Sequence, residues 1–394
     1  MSDRPIYLDH QATTPLDERA LQAMMPFLTS EYGNPSSPHA YGRAAARAIR
    51  AARRRVADLV GVAKELDIVF TSGATEANHL AIVGAALAAM PHGGHVVTSV
   101  IEHKSVSAAC QRLVDHHGYT VTRVGVDCRG AVHPDDVAAA LTADTVLVSV
   151  MHANNEIGTV QQLAAIAAIT GPRGVVLHTD AAQTAGYGLV DVRALGVDLA
   201  SISGHKLHGP KGIGALYVRG DVRIAAQQTG GGQERGLRAG TPNVPAIVGF
   251  GAAAHLITTE AVTSPERIQA LRDRLQEQLL VVLPEATVNG HPHRRLAGNL
   301  SFTIPGVEAV DLLDSLPDIA ASTGSACNTG SAEPSHVLTA IGLTRDQARS
   351  TLRLSLGRNT SENDIGQIVD RIAWAARIAR LDSPGSPPAP GSGL

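Results

Sequence analysis

Residues 174–183 read GVVLHTDAAQ, and residues 199–218 read LASISGHKLHGPKGIGALYV. Each begins with a short apolar run and leaves it on a reactive side chain: Asp180 after Gly174–Thr179, and Lys206 after Leu199–Ser203. A third run, Ile213–Val218, follows at once. Short apolar runs bounded by glycine and small polar residues predict buried strands. Working outward, the same texture recurs at Asp67–Thr71, His95–Val100, Tyr119–Val124 and Thr145–Val150. The stretches Thr75–Met90, Lys104–His116 and Gln161–Thr170 between them carry helical periodicity. Strand–helix–strand alternation predicts an α/β fold, a mostly parallel sheet flanked by helices. Ligands of such sheets sit beyond the carboxyl ends of the strands. Ser72 to Thr75, His103, Asn155, Asp180 and Lys206 all fall at those ends.

The texture changes after about Gly251. Pro265–Leu283 reads as an amphipathic helix, with strands at Ala286–Val288 and Asn299–Ile304, a helix at Val307–Ser315 and a strand running into Ser322. Arg353–Leu356 reads as a strand and Glu362–Leu381 as a closing helix. The predicted organisation is a large domain over residues 16–250 and a smaller α+β domain built from 1–15 and 251–381. A Pro/Gly/Ser-rich tail over 382–394 is expected to be disordered.

Composition bounds the function. The chain has 394 residues, 44% of them hydrophobic, enough for a large core in two lobes. The net charge of −3 and the 3% aromatic content argue against direct nucleic-acid binding and against attraction to an anionic membrane. No run approaches the ~20 apolar residues of a membrane span. The start MSDRPIYLDH lacks an apolar signal segment. The cysteines, Cys110, Cys128 and Cys327, are odd in number and have no metal-ligand or redox spacing, so a reducing, cytoplasmic setting is expected. Arg43, Arg47, Arg50, Arg53, Arg54 and Arg55 read as a solvated helix face rather than a nucleic-acid patch, because the chain as a whole is not basic.

Among the reactive residues, Lys206 lies among small residues just after a strand, where partial desolvation lets an amine lose its proton and attack a carbonyl carbon. An acid at the end of a second strand is what pyridoxal phosphate needs beside such a lysine, to hold its ring nitrogen protonated. Asp180 also suits an ordinary helix N-cap. The turn Ser72-Gly73-Ala74-Thr75 before a helix offers backbone N–H groups to a phosphate. Lys211 is the rival lysine.

The motifs in chain order are YLDHQATTP from Tyr7, GNPSSPH from Gly33, FTSGATEANHLA from Phe70, EHKSV from Glu102 and MHANNEIGTVQ from Met151. They continue with HTDAAQ from His178, SGHKLHGPKGIGALYVR from Ser203, GGGQERGLRAGTPN from Gly230, STGSACNTGSAEPSHVL from Ser322 and RLSLGR from Arg353. This series, spanning about residues 6 to 380, resembles the cysteine desulfurases of the nitrogen-fixation and iron–sulfur-cluster group, within the fold-type I transferases that depend on pyridoxal 5′-phosphate.

The resemblance implies roles. Lys206 holds the cofactor as a Schiff base and moves the substrate's α-proton. Asp180 pairs with the pyridine nitrogen, and Gln183 donates to the ring's phenolic oxygen. Ala74, Thr75, Ser203 and His205 hold the phosphate, with Thr241 reaching it from the neighbouring subunit, so the active sites are shared across a homodimer. His103 stacks on the ring and acts as an acid–base group. Asn34, Asn155 and Arg353 clamp the substrate carboxylate, a task for which Arg358 is less suited. Cys327 is the nucleophile that takes the sulfur as a persulfide.

The implied reaction converts L-cysteine to L-alanine. A selenocysteine lyase, or another aminotransferase of the same class, is the alternative, and an aminotransferase would not need Cys327. No resident metal is expected, and any iron–sulfur ligation is transient and through Cys327. The sulfur acceptor is expected to be an iron–sulfur scaffold protein or a modification enzyme acting in tRNA thiolation or DNA phosphorothioation. His10 and Gln11 depart from the commonest housekeeping form, and the tail lacks a long polar extension. Both favour a dedicated modification pathway.

Overall fold

The computed structural model describes residues 4–260, 264–324 and 334–381. After a two-residue strand β1 (Ile6–Tyr7), the chain builds one sheet from β2 (Ile68–Thr71), β3 (Gly94–Ser99), β4 (Tyr119–Val124), β5 (Thr145–Ser149), β6 (Val176–Asp180), β7 (Leu199–Ser203) and β8 (Gly214–Val218). These are the seven strands predicted from the sequence, with small shifts at their ends. Their order is β2-β8-β7-β6-β5-β3-β4. Only β8 runs against its neighbours, β2 and β7; every other pairing is parallel.

The strands are buried on both faces because successive side chains serve different cores. Val97, Val148, Ala200 and Ala215 belong to one core that also holds residues of the helices Ala40–Leu59 and Val244–Thr259. Their neighbours Val96, Leu147, Leu199 and Leu216 pack under Ala74–Ala89 and Lys104–His117. This explains why the strands read as unbroken apolar runs rather than as an alternation. The first helix pair lies close: a Cβ on Gly251 would meet that of Ala52 at 2.6 Å.

A second sheet, antiparallel throughout, is formed by β9 (Thr287–Asn289), β10 (Asn299–Thr303), β12 (Ser322–Thr323) and β13 (Thr351–Ser355), in the order β12-β13-β10-β9. Leu300, Phe302, Leu352 and Leu354 from this sheet share a core with Leu271, Leu275 and Leu279 of helix Pro265–Val282 and with Ile368 and Ile372 of helix Glu362–Leu381. The segment predicted as one strand into Ser322 is two, because β11 (Ile319–Ala320) pairs in parallel with β1 whereas β12 pairs with β13. Asp9 bridges to Ser355, so the N-terminal segment runs along this sheet before reaching the larger one.

Two further differences from the sequence reading stand out. Helix Glu18–Thr29, capped by Asp17, was not foreseen; Pro26 inside it masks the helical pattern. Arg53 does not join the solvated arginine face. It turns inward and pairs with Glu234 at 2.6 Å, while Arg43, Arg47, Arg50, Arg54 and Arg55 are exposed. The tail at 382–394 lies outside the described residues.

Candidate active site

Because β2, β3, β5, β6 and β7 run the same way, their carboxyl ends share one edge of the sheet. A cavity of about 540 Å³ opens there. It is lined by Lys206, Asp180, Gln183, Ala74, Thr75, His103, Ser203, His205, Asn155 and Arg353, all singled out from the sequence. Asn34 and Thr241 do not line it. They lie together in a separate depression of about 250 Å³ with Tyr32 and Pro242, so within one chain Asn34 is no part of a clamp with Asn155 and Arg353. Cys327 lies outside the described residues.

The cavity wall brings together an uncapped helix start, a carboxylate and a lysine. Helix Ala74–Ala89 begins after Gly73 with no side-chain cap among the described residues, leaving backbone N–H groups for an incoming anion. Ser203 and His205 stand beside it in the cavity wall. Burial, with the nearby charges of Lys206 and Lys211, holds the His205 imidazole down at about 4, so it is neutral at pH 7 and offers a hydrogen bond rather than a charge. Its Nδ1 is 3.0 Å from Thr13 Oγ1.

Asp180 closes β6 and is 6% exposed. Its Oδ2 accepts from Asn78 Nδ2 at 2.7 Å and its Oδ1 from the Ala182 N–H at 2.9 Å. His103 caps helix Lys104–His117, with its Nδ1 accepting from the Ser105 N–H at 3.2 Å. Burial is the main cause that pushes its imidazole below the ordinary range. Lys206 sits in a short turn after β7 and lines the same cavity. Its Nζ donates to the Gln11 and Ala12 carbonyls, the latter at 2.9 Å. Lys211 also lines the cavity but is exposed, whereas Lys206 is half-buried.

Arg353, on β13, reaches the cavity from the second sheet and is 2% exposed. Its guanidinium donates to Asp9 Oδ1 at 2.7 Å and to the Asn155 carbonyl at 3.1 Å. Arg358 points elsewhere and pairs with Asp17 at 2.8 Å.

Several residues of the site were assigned no part in it from the sequence. Gln11, Ala12 and Thr13 form part of the wall, brought in by the pairing of the N-terminal segment with the second sheet. Gln183 Nε2 donates to the Gln11 carbonyl at 3.1 Å. Glu102 is buried beside His103, accepts from Ser99 Oγ and the Met151 N–H, and is pushed up to about 8 by burial. Only the motif runs DHQATTP and EHKSV marked these positions, without assigning them a task. Among the described residues, no cluster of His, Cys, Asp and Glu is arranged to hold a metal ion.

The arrangement fits pyridoxal 5′-phosphate on its own chemistry: N–H groups of an uncapped helix start for a dianion, a carboxylate for a ring nitrogen, and a half-buried primary amine in the same cavity.

Comparison with known proteins gives a consistent picture. The family model described as aminotransferase class-V matches residues 6–368. A relative named cysteine desulfurase IscS, from Anaeromyxobacter sp. strain Fw109-5, is 47% identical over 96% of this chain and 94% of its own. The solved structure of a NifS-like protein superposes with a TM-score of 0.88 at 34% identity, covering 95% of this chain and all of that one. A structure described as SspA in complex with cysteine superposes with a TM-score of 0.80 at 37% identity, covering 90% of this chain and 99% of that one.

Proposed function

The chain belongs to the aminotransferase class-V family and is a cysteine desulfurase, and from that footing we propose that its cavity binds pyridoxal 5′-phosphate and that Cys327 receives the sulfur of L-cysteine as a persulfide. The observation that carries this reading is the convergence of Lys206, Asp180, the uncapped helix start at Ala74 and Arg353 on one cavity. When bound, the cofactor supplies an electron sink that acidifies the substrate's α-proton and weakens its Cβ–S bond.

The remaining work falls to the chain. Arg353, with Asn155 beside it, orients the substrate carboxylate through a planar fork. Lys206 takes the α-proton, and Asp180 accepts a hydrogen bond from the ring nitrogen. Ala74, Thr75, Ser203 and His205 hold the phosphate, and Gln183 meets the phenolic oxygen. The Cys327 thiolate attacks the substrate sulfur. A sulfur–sulfur bond forms, the Cβ–S bond breaks with its electron pair left on carbon, Cβ is protonated, and Lys206 returns a proton to Cα to give alanine. His103 carries protons around these steps.

The placement of Thr241 and Asn34 outside their own chain's cavity favours a homodimer in which they complete the partner's site. The persulfide sulfur then passes, in the cytoplasm, to an acceptor protein serving iron–sulfur assembly, tRNA thiolation or DNA phosphorothioation.

The test is to supply purified protein with L-cysteine and a thiol reductant and to assay alanine and sulfide. Wild-type protein turns over. Cys327→Ala keeps the yellow cofactor but loses sulfide release by roughly 100-fold or more. Full sulfide release from that variant removes Cys327 as nucleophile, and no alanine from the wild type overturns the whole assignment.

A further inference from the structure

Asn78 lies one turn into helix Ala74–Ala89 and is completely buried next to the apolar Ala77, Leu80 and Ala81. Burying an amide there is costly unless its polar atoms are used. Its Nδ2 sits 2.7 Å from Asp180 Oδ2 and 2.8 Å from Ser105 Oγ, whereas its Oδ1 is buried without a hydrogen-bond partner among the described residues. A carboxylate can only accept, so the group facing Asp180 must be the NH₂, and this fixes the orientation of the amide. Turning it over would press the carbonyl oxygen onto the carboxylate.

The Ser105 hydroxyl continues the chain. It accepts from Asn78 and lies 2.8 Å from His103 Nδ1, to which the Ser105 backbone N–H also donates at 3.2 Å. A backbone N–H cannot reverse its role, so Nδ1 is an acceptor and the neutral ring carries its proton on Nε2.

We propose that Asn78 and Ser105 are positioning residues that bridge the Asp180 carboxylate to the His103 ring, fixing the carboxylate's orientation at one end and the imidazole tautomer at the other. The bridge deepens the proposed function and rests on it for the tasks of His103 and Asp180. It has two consequences. Asp180 is held by two donors, Asn78 and the Ala182 N–H, so its angle to a ring nitrogen is set before any ligand arrives. A second proton on His103 must enter at Nδ1, against two donors, and the ring therefore stays neutral to lower pH than a free imidazole. Burial acts in the same direction, the charge of Asp180 opposes it, and Lys206, His336 and Lys104 add to it.

The experiment compares full-length wild type with Ser105→Ala, Ser105→Thr and Asn78→Leu. Histidine ¹⁵N NMR of the cofactor-free protein reads the tautomer and titration of His103, assigned by subtraction with His103→Gln. Equilibrium dialysis reads affinity for pyridoxal phosphate, and the pH profile of kcat/KM is recorded with L-cysteine. The expected wild-type ring is protonated on Nε2. Ser105→Ala raises the titration of His103, and the acid limb of kcat/KM, by about one pH unit, the size of one hydrogen bond. Ser105→Thr restores both. Asn78→Leu shifts His103 similarly and weakens pyridoxal phosphate binding roughly tenfold through the loosened Asp180.

A wild-type ring protonated on Nδ1, or a titration unmoved in Ser105→Ala, overturns the bridge. If Asn78→Leu does not fold, the Ser105 pair decides. Wild-type protein that neither binds pyridoxal phosphate nor makes alanine defeats the proposed function instead, and the tautomer still tests the bridge.

Discussion

Arg353 is tied at 2.7 Å to Asp9 and at 3.1 Å to the Asn155 carbonyl, and it belongs to a strand of the second sheet while facing a cavity of the first. One guanidinium therefore joins three distant segments while lining the cavity, where the proposed function has it meet the substrate carboxylate. Lysine keeps the charge but loses the planar, bidentate fork. Arg353→Lys should raise KM for L-cysteine by roughly 10–100-fold, the worth of a charge-assisted hydrogen bond, with a smaller change in kcat; steady-state kinetics check it. Lys206, Asp180 and His103 were legible as residues because each follows an apolar run that ends at the sheet edge. Asn78 was not, since one asparagine in a helical pattern reads as a solvent-facing residue. Only the fold shows that its face of the helix turns to Asp180.

The elements that frame the cavity depend on close approach as much as on apolar burial. Gly357 follows β13 and has no need of a left-handed backbone. Its need is space, because a Cβ there would fall on the His10 ring. That ring cannot retreat, being buried with Nδ1 donating to the Ser355 carbonyl at 3.0 Å. Gly357→Ala should destabilise the protein by about 3 kcal/mol through overpacking, and should displace the N-terminal segment that carries Gln11 and Ala12 into the cavity wall. Urea denaturation measures the first effect and pyridoxal phosphate affinity the second. The seven strands of the large sheet were readable because both their faces are buried, which leaves an unbroken apolar run. The two-residue strands β11 and β12 were not separable in sequence, as only their different partners distinguish them.

Over the whole molecule, buried ionisable groups set a stability optimum. His152, His178, His205 and His208 are held down at about 4, chiefly by burial, against an ordinary 6.5. As pH falls below 6.5 the unfolded chain gains protons that the folded one refuses, so stability is lost down to about pH 4. Glu102 and Glu156 behave oppositely, since burial pushes them up to about 8 and about 7 from 4.5. The folded state then holds protons that the unfolded state has released, and stability falls as pH rises toward 8. Between pH 4.5 and 6.5 the four histidines outweigh the two acids. The Tm of the cofactor-free protein at constant ionic strength should peak near pH 6.5 and fall on both sides. A flat Tm from pH 6.5 to 8 would show that the two glutamates are not proton-bearing in the fold.

The sequence by itself determined the α/β class, the order of the large-sheet strands along the chain and the lysine–acid pair at their ends, because each follows from local periodicity and from what lies at the end of a run. Tertiary structure alone decided that β8 reverses, that residues 11–13 and Arg353 reach the same cavity, that Asn34 and Thr241 stand apart from it, and that Asn78 links Asp180 to His103. Those outcomes depend on which distant segments pair and on how far apart two backbones pack, and neither quantity is written in any local stretch of residues.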